Sequence, residues 1–353
     1  EFGRIYFGPA YARRLQQQAR DAGIDIRTGH SVVELGQDGT LLVTSARGVE
    51  RLKARRIVLA TGAREKTRSA RLLPGDRPLG IVTTGTLQSY VAFHGLMPFR
   101  RPLIIGSELV SYSALLTCLT HGARPVAMVE PQIQPLARPF FRWFPRLAGV
   151  PFLCNAQLTD IRGRGRVEEA DVRLSDGRTM TVQCDGVLLS GQFTPEAALL
   201  NASPVDVAVG SGGPMVDQDG RMVNPIFFAG GNVLRAVETG GWAFREGRRV
   251  GAAVANDLVR EPCHSRAVHV SFPEPIKLVV PTMVRQLGLD QATFCDFQLR
   301  FARRARGRLS LHIDGREVWS KSGLWLPERR VLVPIPRAAI EAGAIVFNFV
   351  ETS

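Results

Sequence analysis

Three short segments carry residue types that could hold a dinucleotide. The first is Ile57-Val58-Leu59-Ala60-Thr61-Gly62-Ala63, an apolar run ending in Thr-Gly. It reads as a buried strand whose carboxyl edge lets bare amides and a small side chain approach a ligand. The second is Phe227-Phe228-Ala229-Gly230-Gly231-Asn232-Val233, followed by Thr239-Gly240-Gly241. It reads as a strand that delivers Asn232 to a sheet edge, then a helix whose first amides favour negative charge. Asn232 could equally be an ordinary turn residue. The third is Gly106-Ser107-Glu108-Leu109-Val110-Ser111, with Glu130 placed 24 residues beyond Gly106. It stands where a G-x-G-x-x-G turn would stand, with the first glycine kept and Glu108 and Ser111 at the second and third. A carboxylate ~4 Å from a phosphate costs roughly 4 kcal/mol at an effective dielectric of ~20, so Glu108 must turn aside if a pyrophosphate is to bind. Glu130 suits a ribose 2′-hydroxyl and disfavours a 2′-phosphate. The alternative is a βαβ unit kept for structure alone.

The elements that must position these residues follow from periodicity and turn signals. Residues 9–22 read as a helix with Pro9 in its first turn and Gly23 ending it. Strands SVVEL and LLVTSA, joined at Gln37-Asp38-Gly39, and a Gly48 turn then lead to RIVLATG. Residues 102–130 read as strand, tight turn, helix and strand. PFLCNAQLTDI, VEEADVRLSDGRTMTVQ with its Asp176-Gly177 hairpin signal, and CDGVLLSGQ read as further strands. PIFFAGG and a helix over 241–259 follow. Beyond residue 262 the chain reads as a small, mostly β region, with short strands over 296–335 and a second hairpin signal at Asp314-Gly315.

Composition narrows the class. The 353 residues are 45% hydrophobic and 22% charged, a globular balance large enough for two or three domains. No window holds the ~18 uninterrupted apolar residues of a membrane-spanning helix. The net charge of +13 is carried almost wholly by arginine. Its densest run, Arg300, Arg303, Arg304, Arg306 and Arg308, lies in strand and hairpin without aromatic platforms for bases, so nucleic acid is not expected. Cys118, Cys154, Cys184, Cys263 and Cys295 form no CxxC or CxxxxC pair, which leaves no zinc knuckle, iron–sulfur ligand set or vicinal dithiol here. Free thiols fit a reducing cytoplasm. His30, His94, His121, His264, His269 and His312 form no motif. The run Arg138-Pro139-Phe140-Phe141-Arg142-Trp143-Phe144-Pro145-Arg146 is either a packed loop or a contact surface for a partner or an anionic membrane.

The order of the three segments resembles the FAD- and NAD-linked pyridine nucleotide-disulfide oxidoreductase superfamily, over roughly residues 1–260. The resemblance implies an α/β fold of two interleaved Rossmann-like dinucleotide-binding domains in three layers, plus a small, mostly β C-terminal domain. The domain boundaries expected are 1–80 and 193–262 for the two FAD-binding parts, 81–192 for the inserted NAD-type unit, and 263–353 for the β region. It further implies FAD contacts at Val32, Thr61, Gly62, Ala63, Gly231, Asn232, Val233, Gly240 and Gly241. The inserted unit would present Gly106, Ser107, Glu108 and Glu130 to NAD. GPAYARRL, ATGAREKTRSARLLPGDRP, TTGTLQ, GSELVSYSALLT and GNVLRAVET are similar to a narrower group. These are the FAD-binding large subunits of bacterial amine, opine and hydroxyproline dehydrogenases and of hydrogen cyanide synthase. Glu at the second glycine position is usual in that group. Its members open with a strand and a G-x-G-x-x-G turn for the FAD pyrophosphate, and nothing like it stands before Phe2-Gly3, so that segment is expected to be missing. The resemblance implies a flavin-dependent dehydrogenase of a small amine, imino acid or hydroxy compound, with a partner flavoprotein or electron-acceptor subunit. An NADH-dependent flavoprotein reductase and a non-catalytic scaffold or electron-transfer subunit remain open readings.

Overall fold

The computed structural model describes residues 6, 8–137, 139–259, 265–286 and 292–352. The chain forms two compact units, Glu1–Ala63 with Pro195–Ser353, and Arg64–Thr194.

The first unit opens with helix α1 (Gly8–Asp21) and an antiparallel meander, β1 (His30–Leu35), β2 (Thr40–Ser45) and β3 (Gly48–Lys53). Gly39, at φ +86°, makes the β1–β2 turn, and a Cβ there would meet the Ala54 carbonyl at 2.5 Å. Strand β4 (Ile57–Leu59) follows, and β5 (Ala63–Glu65) carries the chain into the second unit.

The second unit is three-layered. Its parallel sheet contains β6 (Ile81–Thr83), β7 (Pro102–Ile105), β8 (Ala127–Glu130), β9 (Phe152–Cys154) and β13 (Gly186–Leu189), in the order β6-β13-β7-β8-β9. β7, β8 and β13 are buried along their whole length, as parallel strands covered on both faces must be. Helices α2 (Thr84–His94), α3 (Leu109–Thr120) and α4 (Trp143–Leu147) connect successive sheet strands. Thr83 caps α2 through its hydroxyl, which accepts the Thr86 amide, and Gly95 ends it at φ +63°. A meander of β10 (Gln157–Arg162), β11 (Glu169–Arg173) and β12 (Thr179–Gln183) packs Leu158, Ile161, Ala170 and Val172 on Leu103, Val129 and Val187 of the sheet. A separate cluster joins Leu87, Leu115 and Cys118 of the helices to Ile104, Met128 and Leu188. Strand β14 (Phe193–Pro195) pairs with β5 and returns the chain.

The first unit resumes with α5 (Ala198–Asn201), β15 (Phe227–Ala229) and α6 (Gly240–Val259). β15 runs parallel to β4, with Phe227 opposite Ile57 and Ala229 opposite Leu59. Then come β16 (Ala267–Ser271), β17 (Ile276–Val280), β18 (Met283–Arg285), β19 (Asp296–Phe301), β20 (Ala305–Ile313), β21 (Arg316–Trp325), β22 (Val331–Pro334) and β23 (Ile345–Glu351). They make one sheet ordered β18-β16-β23-β20-β21 and another ordered β17-β19-β22. Phe297 of β19 meets Phe347 of β23 edge-on at 5.4 Å, and Phe301 stacks on Trp325 at 5.4 Å.

The α/β fold, its parallel sheet and its β-rich C-terminal region are as the sequence led one to expect, with three local differences. The run PFLCNAQLTDI is two strands, because Asn155 takes a left-handed conformation (φ +51°) and turns the chain from the parallel sheet into the meander. Residues 64–80 belong to the inserted unit rather than to the first half. Asp76 N–H donates to the Ile161 carbonyl (2.8 Å), Leu79 N–H to that of Gly165 (2.8 Å), and Arg71 to that of Gly191 (2.7 Å). The β-rich region packs on the rest of its unit, with Val279, Phe294 and Phe347 in one buried cluster with Leu35, Ile57, Phe227 and Leu234. Finally, β20 and β21 are long strands of 9 and 10 residues. Their turn at Asp314-Gly315 has φ of +47° and +80°.

Candidate functional site

The parallel pairing of β4 with β15 brings the first two sequence segments to one sheet edge. Gly230 N–H donates to the Leu59 carbonyl (3.1 Å), so Ala60-Thr61-Gly62 and Gly231-Asn232 leave neighbouring strand ends together. The Thr61 hydroxyl donates to the Glu196 carbonyl (2.7 Å), and Glu196 N–H returns to the Gly62 carbonyl (2.9 Å). Gly62 has φ +79° and open space where a Cβ would project. Beside this edge lies an open cleft of about 730 Å³. Val32, Val33, Val58, Leu59 and Thr61 are among its walls, with Glu196 and Leu199. Its size falls within the ~300–1,000 Å³ usual for cofactor sites, and its walls are mostly apolar. Val58 is 46% exposed although it sits in the middle of a strand, which is unusual for a β-branched core residue.

Asn232 is committed to its own loop. Its Oδ1 accepts the Glu238 amide (2.6 Å) and its Nδ2 donates to the Glu238 carbonyl (3.3 Å). The side chain thus holds the loop 232–238 in shape, and one Nδ2 hydrogen is left for a ligand. Val233 is fully buried and serves the core. Gly240 and Gly241 open α6, a helix of 20 residues, and no side chain at either position screens its N-terminal amides.

Under this edge lies a buried charge network that no local motif announces. Arg235 is fully buried and pairs with Glu246, whose Oε1 also accepts the Gly231 amide (2.7 Å). Arg300 donates to Glu238 Oε1 (2.6 Å) and to the Val237 carbonyl (2.7 Å). Arg330 pairs with Glu238 too, and its guanidinium lies 3.5 Å from the Trp242 ring centroid. The β-rich region therefore fixes the loop that carries Asn232. Three of the participants, Glu238, Arg300 and Arg330, lie far apart in sequence, so nothing in the spacing could have found them.

The third segment lies in the second unit. Gly106, at φ +116°, is required: a Cβ would stand 2.5 Å from the Ser190 carbonyl. Ser111, in place of the third glycine, is fully buried and bonds the Ser190 hydroxyl at 2.8 Å. Glu108 has turned aside, since its Oε1 accepts the Gln192 amide at 2.7 Å. Glu130 is buried and bound from within: Ser107 Oγ donates to its Oε2 (2.5 Å) and the Gln132 amide to its Oε1 (2.8 Å). Burial pushes the Glu130 carboxyl up, and these bonds partly oppose the shift. The loop after β8 closes on the turn, with the Leu136 amide on Ser107 Oγ (2.9 Å) and the Ala137 amide on the Ser107 carbonyl (3.1 Å). Ser107→Ala should leave Glu130 short of a donor in a dry site and cost about 1–3 kcal/mol. A lowered midpoint of thermal unfolding would register it; an unchanged midpoint would contradict it.

Glu65 is a buried carboxylate that sequence reasoning passed over. Its two oxygens accept the Gly85 amide (2.8 Å), in the first turn of α2, and the Gly191 amide (3.0 Å). Among the described residues no group of histidines, cysteines and carboxylates could hold a metal ion. Burial raises the thiols of Cys118 to about 12 and of Cys184 to about 11, which leaves them unreactive. Cys263, His264 and Arg138 lie outside the described residues. No helix among the described residues is long and apolar enough to cross a membrane.

The family model for pyridine nucleotide-disulphide oxidoreductases matches residues 16–247. The alpha subunit of sarcosine oxidase from Rhizobium meliloti is 28% identical over 258 residues, covering 70% of this chain and 24% of that protein. The probable ferredoxin reductase CtmF of Castellaniella defragrans is 28% identical over 186 residues, covering 50% of this chain and 43% of that one. An opine oxidase subunit from Rhizobium meliloti is 25% identical over 114 residues, 32% of this chain and 24% of its own. The chain thus spans less than half the length of each of these relatives. Among solved structures, T. acidophilum thioredoxin reductase superposes with a TM-score of 0.60 at 19% identity, over 72% of this chain and 82% of that one. An FAD-dependent pyridine nucleotide-disulphide oxidoreductase from Desulfovibrio vulgaris does so with 0.55 at 16%, over 88% and 82%. The match to the family model covers well over half of the chain, which therefore belongs to the pyridine nucleotide-disulphide oxidoreductases, a family of flavin-dependent oxidoreductases.

Proposed function

We propose that the chain is the flavin-binding part of a dehydrogenase that oxidises a small amine, imino acid or hydroxy compound and hands the electrons to a partner subunit. The observation that carries this reading is the meeting of Thr61-Gly62-Ala63 with Gly231-Asn232 at one strand edge, beside an apolar cleft and the glycine-led N-terminus of α6. These residues fit FAD. Val32 and Thr61 would wall it, the spare Nδ2 hydrogen of Asn232 would reach a hydroxyl, and the Gly240 and Gly241 amides would favour negative charge at the ring. A bound flavin would supply the acceptor for a hydride equivalent and the means to release electrons singly or in pairs. The chain's own part is to position the ring and keep water from it. The relatives named as subunits of sarcosine oxidase and of opine oxidase support an amine-type substrate and a multi-subunit setting.

The NADH-reductase reading is less well supported, because Glu130 and Ser107 bond each other and loop 131–137 closes on their turn. The test is the visible spectrum of the purified chain after incubation with FAD, recorded with and without a family-length N-terminal extension. Flavin bands in either form support the reading, and their absence from both overturns it. With flavin bound, anaerobic NADH should leave the bands unbleached; rapid bleaching would restore the reductase.

A further inference from the structure

The segment after β8 contains a helix that is apolar on both faces. Pro139–Arg142 forms a turn of 3₁₀ helix that runs directly into α4. Inward, the Phe141 ring lies 5.5 Å from that of Tyr112, Phe144 packs on the helix-side core, and Pro145 is buried. Outward, Phe140 is 84% exposed, Trp143 62% and Leu147 85%. Their spacings of three and four residues place them in one stripe. A surface helix in water keeps a polar outer face, so this stripe calls for another covering.

Charge decides the kind of covering. Arg142 and Arg146 are exposed beside the stripe, and the Arg146 guanidinium lies 6.0 Å from the Trp143 ring. From residue 131 to 159 there is no aspartate or glutamate. A stable protein interface needs about 800 Å² of matched surface on each side, more than a single ridge of three side chains presents. A ridge of Phe, Trp and Leu flanked by arginines is the composition that settles at the headgroup boundary of an anionic bilayer, rings among the acyl chains and guanidinium groups on phosphate. We propose that residues 139–147 dock the second unit peripherally on an anionic lipid surface.

The experiment is co-sedimentation of the full chain with vesicles of phosphatidylcholine alone or mixed with phosphatidylglycerol. Binding is expected to the mixed vesicles, weakening as salt rises. Arg142→Gln with Arg146→Gln should reduce it roughly thirtyfold, on the basis of about fivefold per arginine. Phe140→Ser, Trp143→Ser and Leu147→Ser together should abolish it. All five positions are exposed, and an unchanged circular dichroism spectrum would show that each variant folds. The arginine pair tests the idea even if the triple variant does not. A chain that ignores mixed vesicles, or variants that bind like the parent, would overturn the proposal. So would loss, in these variants, of a stoichiometric protein complex from a parent that does not bind vesicles, since the ridge would then be a protein interface.

Discussion

Glu246→Ala is expected to lower the stability of the first unit by about 3–5 kcal/mol, because it strands a buried cation. Arg235 has no exposed surface, and its guanidinium is held by Glu246. Removing that carboxylate leaves the positive charge facing Phe294, 5.8 Å from its ring, and Glu238, 3.6 Å from its Nε. Glu238 already answers Arg300 and Arg330, so it offers only part of the lost compensation. The Gly231 amide loses its acceptor at the same time. Chemical denaturation of parent and variant measures the difference. The double variant Arg235→Met with Glu246→Leu removes both charges and keeps the volume, so it should cost less than Glu246→Ala alone. A single variant that lost under about 1 kcal/mol would show that water or Glu238 compensates the cation, contrary to its burial. On the proposed function, both variants should also release flavin more readily, since Gly231 stands at that edge.

The second large effect is a dependence of stability on pH that runs against the usual direction for carboxylates. Asp217 is fully buried; burial, with Asp219 nearby, raises its carboxyl from the ordinary 3.8 to about 7. Its Oδ1 accepts the amides of Asp219 (2.9 Å) and Arg221 (3.0 Å), and Arg285 Nε lies 3.1 Å from Oδ2. These partners oppose the shift without cancelling it. Between about 4 and about 7 the folded chain keeps a proton that the unfolded chain has released. Stability from this group is therefore greatest below the unfolded value and falls as pH rises through that window. The fall is on the order of 4 kcal/mol at about 1.4 kcal/mol per unit. Asp217→Asn removes the titrating group, so its stability should change less across the same window. Denaturation midpoints for parent and variant at several pH values give the difference profile. Parallel profiles would mean that Asp217 is charged in the folded state throughout.

How much of this was legible depended on the range of each interaction. The β7–α3–β8 unit could be read because its signals are local: a four-residue apolar strand, Gly106 at the turn, and a second buried strand ending at Glu130. The hairpins at Asp176-Gly177 and Asp314-Gly315 are equally local. The strand break at Asn155 was hidden, because asparagine inside an apolar run does not reveal which residue will take a positive φ. Asn232 could be placed at a sheet edge but not given its partner, since the loop 232–238 that absorbs its amide has no regular period. Glu130 stands at the spacing of a ribose ligand, yet loop 131–137 decides what it binds. The pairs Arg300–Glu238 and Arg330–Glu238 span 62 and 92 residues, and only the folded β-rich region brings them together.

The way the second unit joins the first bears on how such a chain could change over time. The peptide leaves through β5 and returns through β14, and those two strands pair. On either side of the junction Glu196 N–H meets the Gly62 carbonyl at 2.9 Å. An insertion whose two ends already touch needs almost no chain to close the gap it leaves, and the entropy of that closure is small. Residues 64–194 can therefore be gained, exchanged or dropped by recombination as a single cassette. The edge formed by β4 and β15 need not be rewritten when that happens. Selection could then alter one unit's ligand, or its attachment to a surface, while the chemistry at the other is left alone.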